Sequence, residues 1–272
     1  MKILCTWCAS PEAGAYVASR RWEELRSRPT LFTWHRGNSV WRATIEPFGD
    51  VIVKESRLDS SFSLFERIGR ELRFRLFDVD MRDARAALKA ESLGVATYHP
   101  LAVWRTREGL STSCYIMYTY VDGRPLSDIC GGGVFDESVR PEVRRHLREL
   151  GGIARLLHDG GLRHRDLVPQ NVIIRPDGTL ALIDFASGYP VKCRWRRFRM
   201  ARDFALLRRL AHILDADILA AFCEGYCGSG HGSDFEHALM LMLYWKYNGH
   251  RRKGRISALR FQSAFVRTLF MD

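Results

Sequence analysis

The sequence predicts an α+β fold in which a strand-rich, antiparallel first part gives way to a mainly helical second part. Three observations carry the prediction. Residues 31–35, 40–45 and 51–54 read as short strands separated by turn chemistry at Arg36-Gly37-Asn38 and Phe48-Gly49-Asp50. From Val143 onward Leu147, Leu150, Ile153, Leu156 and Leu157 recur at helical spacing and mark a buried helix. Further on, two apolar runs, residues 172–174 and 180–183, flank Pro176-Asp177-Gly178, where proline presets φ and glycine is free to take φ > 0, so the two runs form a hairpin.

The remaining elements follow in order. Residues 1–30 hold one helical turn, Arg20-Arg21-Trp22-Glu23-Glu24-Leu25, ended by a break at Pro29. In residues 62–77, Phe65, Ile68, Leu72 and Leu76 share one helical face while Arg67, Arg70, Arg73 and Arg75 point elsewhere, an amphipathic surface helix. Residues 82–93 form the next helix, closed by Gly94-Val95. A strand over residues 115–121 then runs into Asp122-Gly123-Arg124-Pro125-Leu126, and Gly131-Gly132-Gly133 is a flexible loop. Arg194-Trp195-Arg196-Arg197-Phe198-Arg199 interleaves bases and aromatics, suited either to phosphate and sugar contacts or to a solvated helix start. The rest is helical, with residues 235–247 strongly apolar and 250–255 strongly basic.

Composition bounds the function. A chain of 272 residues, 46% hydrophobic, can bury a substantial core. No apolar run approaches the ~20 residues needed to span a bilayer, and the start lacks the apolar stretch of a secretory signal, so a soluble, cytoplasmic protein is expected. The seven cysteines are scattered and odd in number, which argues for reduced thiols. Cys5-x2-Cys8 and Cys223-x3-Cys227 could offer four thiolates to zinc only if opposite ends of the chain met. The net charge of +11 implies an anionic partner, for which nucleic acid, an acidic membrane face and a phosphorylated glycolipid all qualify.

The chemistry concentrates in L-R-H-R-D-L-V-P-Q-N-V-I-I-R-P-D-G-T-L-A-L-I-D-F, from Leu162 to Phe185. Asn171 enters the first strand of the hairpin and Asp184 leaves the second, so an amide and a carboxylate arrive at one end beside the loop that holds Asp166. Such a cluster can hold Mg2+ on a polyphosphate. His164-Arg165-Asp166, Asn171 five residues on and Asp184-Phe185 resemble the catalytic and metal-binding motifs of the protein-kinase-like superfamily, with Ala186 where a glycine is usual. The resemblance implies a two-lobed protein-kinase-like fold: an N-terminal extension over 1–30, a small antiparallel-sheet N-lobe over 31–120 and a mainly helical C-lobe over 121–272.

The resemblance also implies a division of labour. Asp166 would accept or orient the proton of the attacking hydroxyl, while Asn171 and Asp184 would hold Mg2+ against the phosphates of ATP. Lys54 closes a strand as in the V-A-I-K pattern and would contact the α- and β-phosphates, which would lie under the Gly37, Asn38 and Ser39 turn. The acid paired with Lys54 would sit on the helix of residues 82–93, where Asp83 falls at the expected distance from Gly94, with Glu91 and Glu71 as rivals. Backbone groups of Met117, Tyr118, Thr119 and Tyr120 would receive adenine. His164 packs and hydrogen-bonds within its loop, Arg165 pairs with a phosphate or with Asp184, and Asp203 braces the catalytic loop.

Within the superfamily, Gly94-Val95-Ala96-Thr97-Tyr98-His99-Pro100-Leu101-Ala102 resembles the G-[I/V]-x-T-P-x-P-L-A segment of bacterial lipopolysaccharide core heptose and Kdo kinases, with Tyr98 replacing the first proline. Arg202-Asp203-Phe204-Ala205-Leu206-Leu207 is similar to their R-D-L-A-x-L helix. This implies transfer of the γ-phosphoryl of Mg-ATP to a hydroxyl of an anionic core-sugar glycolipid, with peripheral contact to the acidic inner membrane face; nucleic acid fits less well. A compact Ser/Thr/Tyr protein kinase and a non-catalytic nucleotide-binding scaffold are the alternatives.

Overall fold

The structure, a computed structural model, describes residues 2–34, 38–58, 79–108, 111–130, 136–164, 166–185, 189–190 and 216–228. They divide into two compact units, one formed by residues up to Glu91 together with Thr97–Val121, the other by Ser92–Ala96 and the described residues from Asp122 on. The basic helix expected over 62–77, the glycine run 131–133, the Arg-Trp stretch 194–199, Asp203, the apolar stretch 235–247 and the basic stretch 250–255 lie outside the described residues.

In the first unit, β1 (Lys2–Cys8), β2 (Phe32–Trp34), β3 (Asn38–Ile45), β4 (Gly49–Leu58), β5 (Pro100–Glu108) and β6 (Ser111–Thr119) form one sheet. Their spatial order is β1-β5-β6-β4-β3-β2, and every pair is antiparallel. The β3–β4 connection turns where the sequence predicts, with Gly49 at φ +71° and Phe48 N–H donating to the Ile45 carbonyl at 2.7 Å. Residues 2–8 were expected to lie in an extension; they add a sixth strand on the β5 edge instead. Helix α1 (Pro11–Ala18) follows, started by Ser10, whose hydroxyl accepts from Ala13 N–H at 3.3 Å, and by a proline in its first turn. A 3-10 helix over Arg21–Ser27 occupies the place of the expected helical turn.

These N-terminal elements cover one face of the sheet. Val51 and Val53 of β4, Trp41 of β3, Met117 and Tyr115 of β6 and Trp104 of β5 point the same way by register. They form a buried cluster with Ala13, Val17, Trp22 and Leu25. The Trp22 ring lies 4.8 Å from that of Tyr115, and each fully buried large apolar side chain here stabilises by about 2 kcal/mol. A polar knot pins the cover: Glu55, 6% exposed, accepts from the Tyr115 hydroxyl at 2.7 Å and from Arg26 Nη2 at 3.0 Å, and Arg26 also bonds the Tyr115 oxygen.

Burial, and after it the charge of Glu55, holds the Tyr115 hydroxyl above its ordinary 10.0. A tyrosine kept protonated in the fold and free to ionise once unfolded contributes stability that is present below pH 10.0 and lost as the pH rises beyond it. The urea midpoint should therefore fall above this pH, and Tyr115→Phe should remove part of the fall; parallel pH curves for the two proteins would refute the effect.

The opposite face of the sheet receives α2 (Val79–Ser92), whose Ala84 packs with Val103 of β5 and Ile116 of β6.

In the second unit, β7 (Arg124–Pro125) leads into the single-turn helix α3 (Leu126–Ile129), and the long helix α4 (Arg140–Asp159) buries Val143, Leu147, Leu150, Gly151, Ala154 and Leu157. This spacing is the stripe expected of a helix with one face in the core; of the residues read as marking it, Leu156 instead lies 49% exposed and Ile153 is only partly buried, because Leu156 falls off the stripe that Ala154 and Leu157 continue. Helix α5 (Ala216–Cys227) lies against it. The two backbones approach through glycines: a Cβ on Gly225 would stand 1.7 Å from the Arg148 carbonyl oxygen, and one on Gly151 would stand 2.1 Å from that of Phe222.

After α4, β8 (Leu162–Arg163) pairs with β11 (Tyr189–Pro190), and β9 (Val172–Ile174) is flanked by β10 (Leu180–Leu182) and β7. The turn of the β9–β10 hairpin is closed by Gly178, at φ +80°, whose N–H donates to the Arg175 carbonyl at 2.8 Å. Among the described residues no helix is long and apolar enough to cross a membrane.

Candidate active site

The hairpin register decides where the polar residues of the second unit go. Leu182 faces Val172 across the ladder, and Ile183 N–H donates to the Asn171 carbonyl at 2.9 Å, so Asp184 follows directly beside Asn171. Asn171 closes a 3-10 turn, Pro169–Asn171, and its N–H donates to the Val168 carbonyl at 2.8 Å. Its side-chain Nδ2 then reaches back to Asp166, donating to the backbone carbonyl at 2.9 Å and to the carboxylate Oδ2 at 3.2 Å. Both bonds use the nitrogen, so the amide oxygen is the atom they leave for another partner.

His164 ties the loop to the hairpin from below. It is fully buried; its Nε2 lies 3.1 Å from the Ile183 carbonyl, and its Nδ1 accepts from Asp166 N–H at 3.3 Å. One nitrogen must donate and the other accept, a demand met by the neutral tautomer protonated on Nε2. Phe185, also fully buried, lies against it with ring centroids 4.5 Å apart. Between Ile183 and Phe185, both fastened, Asp184 takes φ +65°. That left-handed conformation is uncommon for a residue with a Cβ, and aspartate and asparagine tolerate it best. Its neighbours on both sides are anchored, and its own side chain is partly exposed. Arg165 and Ala186 lie outside the described residues.

In the first unit, Lys54 is the residue of β4 paired with Val40 on one side and Ile116 on the other. It shares the Ile116 face of the sheet, the face on which Ala84 packs. Asp83, the residue before Ala84 on α2, is 3% exposed and accepts a hydrogen bond from the hydroxyl of Tyr98, which is 1% exposed. Glu91 instead lies exposed, two turns further along α2, 2.9 Å from the ring of exposed His99. Glu71 is outside the described residues. Tyr98 was read only as a departure from a proline; that departure is the signal which could have marked it as the partner of Asp83.

Two of the expected stretches use backbone groups of this sheet. Gly37 is outside the described residues, and Asn38 and Ser39 belong to β3, with strand partners on both sides, Trp34 and Ser56 for one and Thr33 and Glu55 for the other. They are ladder residues at the start of β3. Met117, Tyr118 and Thr119 likewise sit in a strand paired on both sides over most of its length. Thr119 N–H donates to the His99 carbonyl at 3.0 Å and Tyr120 N–H to that of Asp50 at 2.9 Å. The main-chain donors of all four are engaged by the sheet. Val121 is the first residue past β6 whose N–H has no backbone acceptor among the described residues.

The four cysteines read as possible zinc ligands are described only in part. Cys8 lies in the first unit and Cys223 is buried in the second, while the side chains of Cys5 and Cys227 are outside what is described. Among the described residues no three His, Cys, Asp or Glu side chains converge on a metal position.

A histidine-fastened Asp166, bonded by an asparagine that enters a hairpin from which a strained aspartate leaves, is an arrangement that comparison with known proteins can place. The family model "Lipopolysaccharide kinase (Kdo/WaaP) family" matches residues 63–226, more than half of the chain. The chain belongs to that family. The solved structure "WaaP in complex with acyl carrier protein" superposes on it with a TM-score of 0.60 at 15% identity, covering 90% of this chain and 99% of that one, so the Kdo/WaaP kinase has the same kinase-like fold. Shorter stretches are similar to protein kinases. The "Putative cyclin-dependent kinase F-2" of Oryza sativa subsp. japonica is 39% identical over 83 residues, 29% of this chain and 24% of that protein. The "Serine/threonine-protein kinase PksC" of Streptomyces coelicolor is 32% identical over 134 residues, 45% of this chain and 22% of that protein. The chain thus spans about a quarter or less of the length of these curated relatives.

Proposed function

We propose that this chain transfers the γ-phosphoryl of ATP to a hydroxyl of a lipopolysaccharide core sugar. The observation that carries the proposal is the Asn171 amide bonded through its nitrogen to the Asp166 carboxylate, with Asp184 at the same end of the hairpin. Asp166 receives the Asn171 bond on Oδ2, which fixes the carboxylate and leaves Oδ1 to orient and deprotonate the acceptor hydroxyl. His164 holds the loop from the side opposite the chemistry. The amide oxygen of Asn171 and the carboxylate of Asp184 are hard oxygen donors that fit Mg2+ and would hold it. When bound, that ion neutralises charge on the transferring phosphoryl group. Lys54 contacts the α- and β-phosphates with Asp83 as its counter-ion, and Thr119 to Val121 is the stretch that meets adenine, with Val121 supplying the donor.

Family membership supports the core-sugar acceptor, and a net charge of +11 supports an anionic glycolipid at the cytoplasmic membrane face, where each basic residue contributes about 1 kcal/mol. The partial likeness to protein kinases supports a second reading, transfer to Ser, Thr or Tyr of a protein. Incubation with radiolabelled ATP and core-oligosaccharide lipid should label the lipid; label appearing only on protein would refute the sugar acceptor and favour the second reading. Magnesium should tighten ATP binding to the wild type, and Asp184→Asn, which keeps the left-handed backbone acceptable, should abolish that tightening in calorimetric titration. An unchanged Mg2+ dependence would remove Asp184 from the metal site.

A further inference from the structure

We propose that Tyr98 is a positioning residue: its hydroxyl holds the Asp83 carboxylate in the orientation that serves Lys54. The inference rests on Lys54 and Asp83 acting as the phosphate-binding pair, as argued above. Aspartate is one methylene shorter than glutamate, so a carboxylate at residue 83 reaches less far from α2 and depends more on being aimed. Three observations supply the aim. Asp83 and Tyr98 are both buried and hydrogen-bonded to each other. The Tyr98 ring is itself fixed against that of Tyr118, with centroids 4.4 Å apart and planes at 33°. Tyr118 pairs with Ile52, two residues before Lys54 on β4, so Tyr118 and Lys54 occupy the same face of the sheet. The tilted ring contact therefore ties the hydroxyl to the strand beside the one that carries Lys54, while the bond ties Asp83 to the hydroxyl. A carboxylate held through one oxygen loses its rotational freedom, which sets where its other oxygen stands.

The test is a double-mutant cycle on Mg-ATP binding by the full chain. Tyr98→Phe removes the hydroxyl and keeps the ring. It should weaken binding about tenfold in the wild-type background, the size of one lost hydrogen bond to a charged group. In the Lys54→Ala background the same change should cost less than about twofold, because the lysine it served is gone. Where Lys54→Ala binds too weakly to titrate, the cycle is read in the urea midpoint of the nucleotide-free protein, where the Tyr98→Phe shift should again shrink when Lys54 is absent. Equal effects in both backgrounds would mean that Tyr98 only supports the fold, and the proposal would fall. Failure of wild-type protein to bind Mg-ATP would instead overturn the reading on which it rests, and would be seen before any variant is made.

Discussion

Asp166→Asn lowers phosphoryl transfer by about 10²- to 10⁴-fold, the range lost with a positioned general base. Asparagine keeps the shape of the side chain, and its amide oxygen can still accept from Asn171 Nδ2, which now lies 3.2 Å from Oδ2. The backbone bonds of the loop, from Asp166 N–H to His164 and from Asn171 Nδ2 to the Asp166 carbonyl, do not involve the carboxylate. The variant should therefore fold normally and bind Mg-ATP within about twofold of wild type, so the loss appears in kcat rather than in nucleotide affinity. Rapid-quench measurement of a single turnover gives the rate directly. A variant that retains more than about a tenth of the wild-type rate would remove Asp166 from the role of base.

Gly225→Val should be the most damaging single change in the second unit. A Cβ at this position meets the Arg148 carbonyl oxygen at 1.7 Å and the backbone carbon behind it at 2.6 Å. These are main-chain atoms of a long helix, so no side-chain rotation can relieve the contact, and α5 must lift away from α4. Lifting it loosens Phe222 and Ile218, which are buried, and strains the pairing of Arg148 with Glu224. We expect a loss of about 3 kcal/mol or more, at the upper end of what overpacking costs. Chemical denaturation followed by circular dichroism measures it. Gly152→Ala is the matched control, because a Cβ there meets nothing closer than 3.7 Å. Equal loss in the two variants would mean that the helix crossing is not set by glycine.

The hairpin and its polar residues were legible in the sequence because each step there is local: a Pro-Asp-Gly turn sets the register, and the register delivers Asn171 and Asp184 to one end. Helix α4 was legible for a similar reason, since its buried face recurs every three or four residues over about four turns. Strand β1 was not. It is an edge strand whose register shifts between Ile3 and Cys5, and that irregularity breaks the alternation by which a strand announces itself. Strand β5 was hidden differently: residues 100–104 are all buried or nearly so, and such a run has no period. The acid partner of Lys54 could not be chosen by counting from Gly94, because Asp83 and Glu91 both lie on α2. Burial and the Tyr98 hydroxyl separate them, and neither is visible in residue spacing. Which backbone donors stay open past β6 was not legible, because a strand's end is decided by which carbonyl lies opposite, here those of His99 and Asp50.

The N-terminal cover of the sheet bears on how this kinase can be shortened. Trp41, Trp104, Tyr115 and Met117 meet Trp22, Leu25 and Val17 rather than water, so a fragment starting near Leu31 would bare a wide greasy plane of aromatic rings together with a Glu55 carboxylate that has lost its Arg26 partner. Trimmed versions made for crystallisation or for domain grafting would clump, and the smallest well-behaved piece must retain the first thirty residues as its own lid.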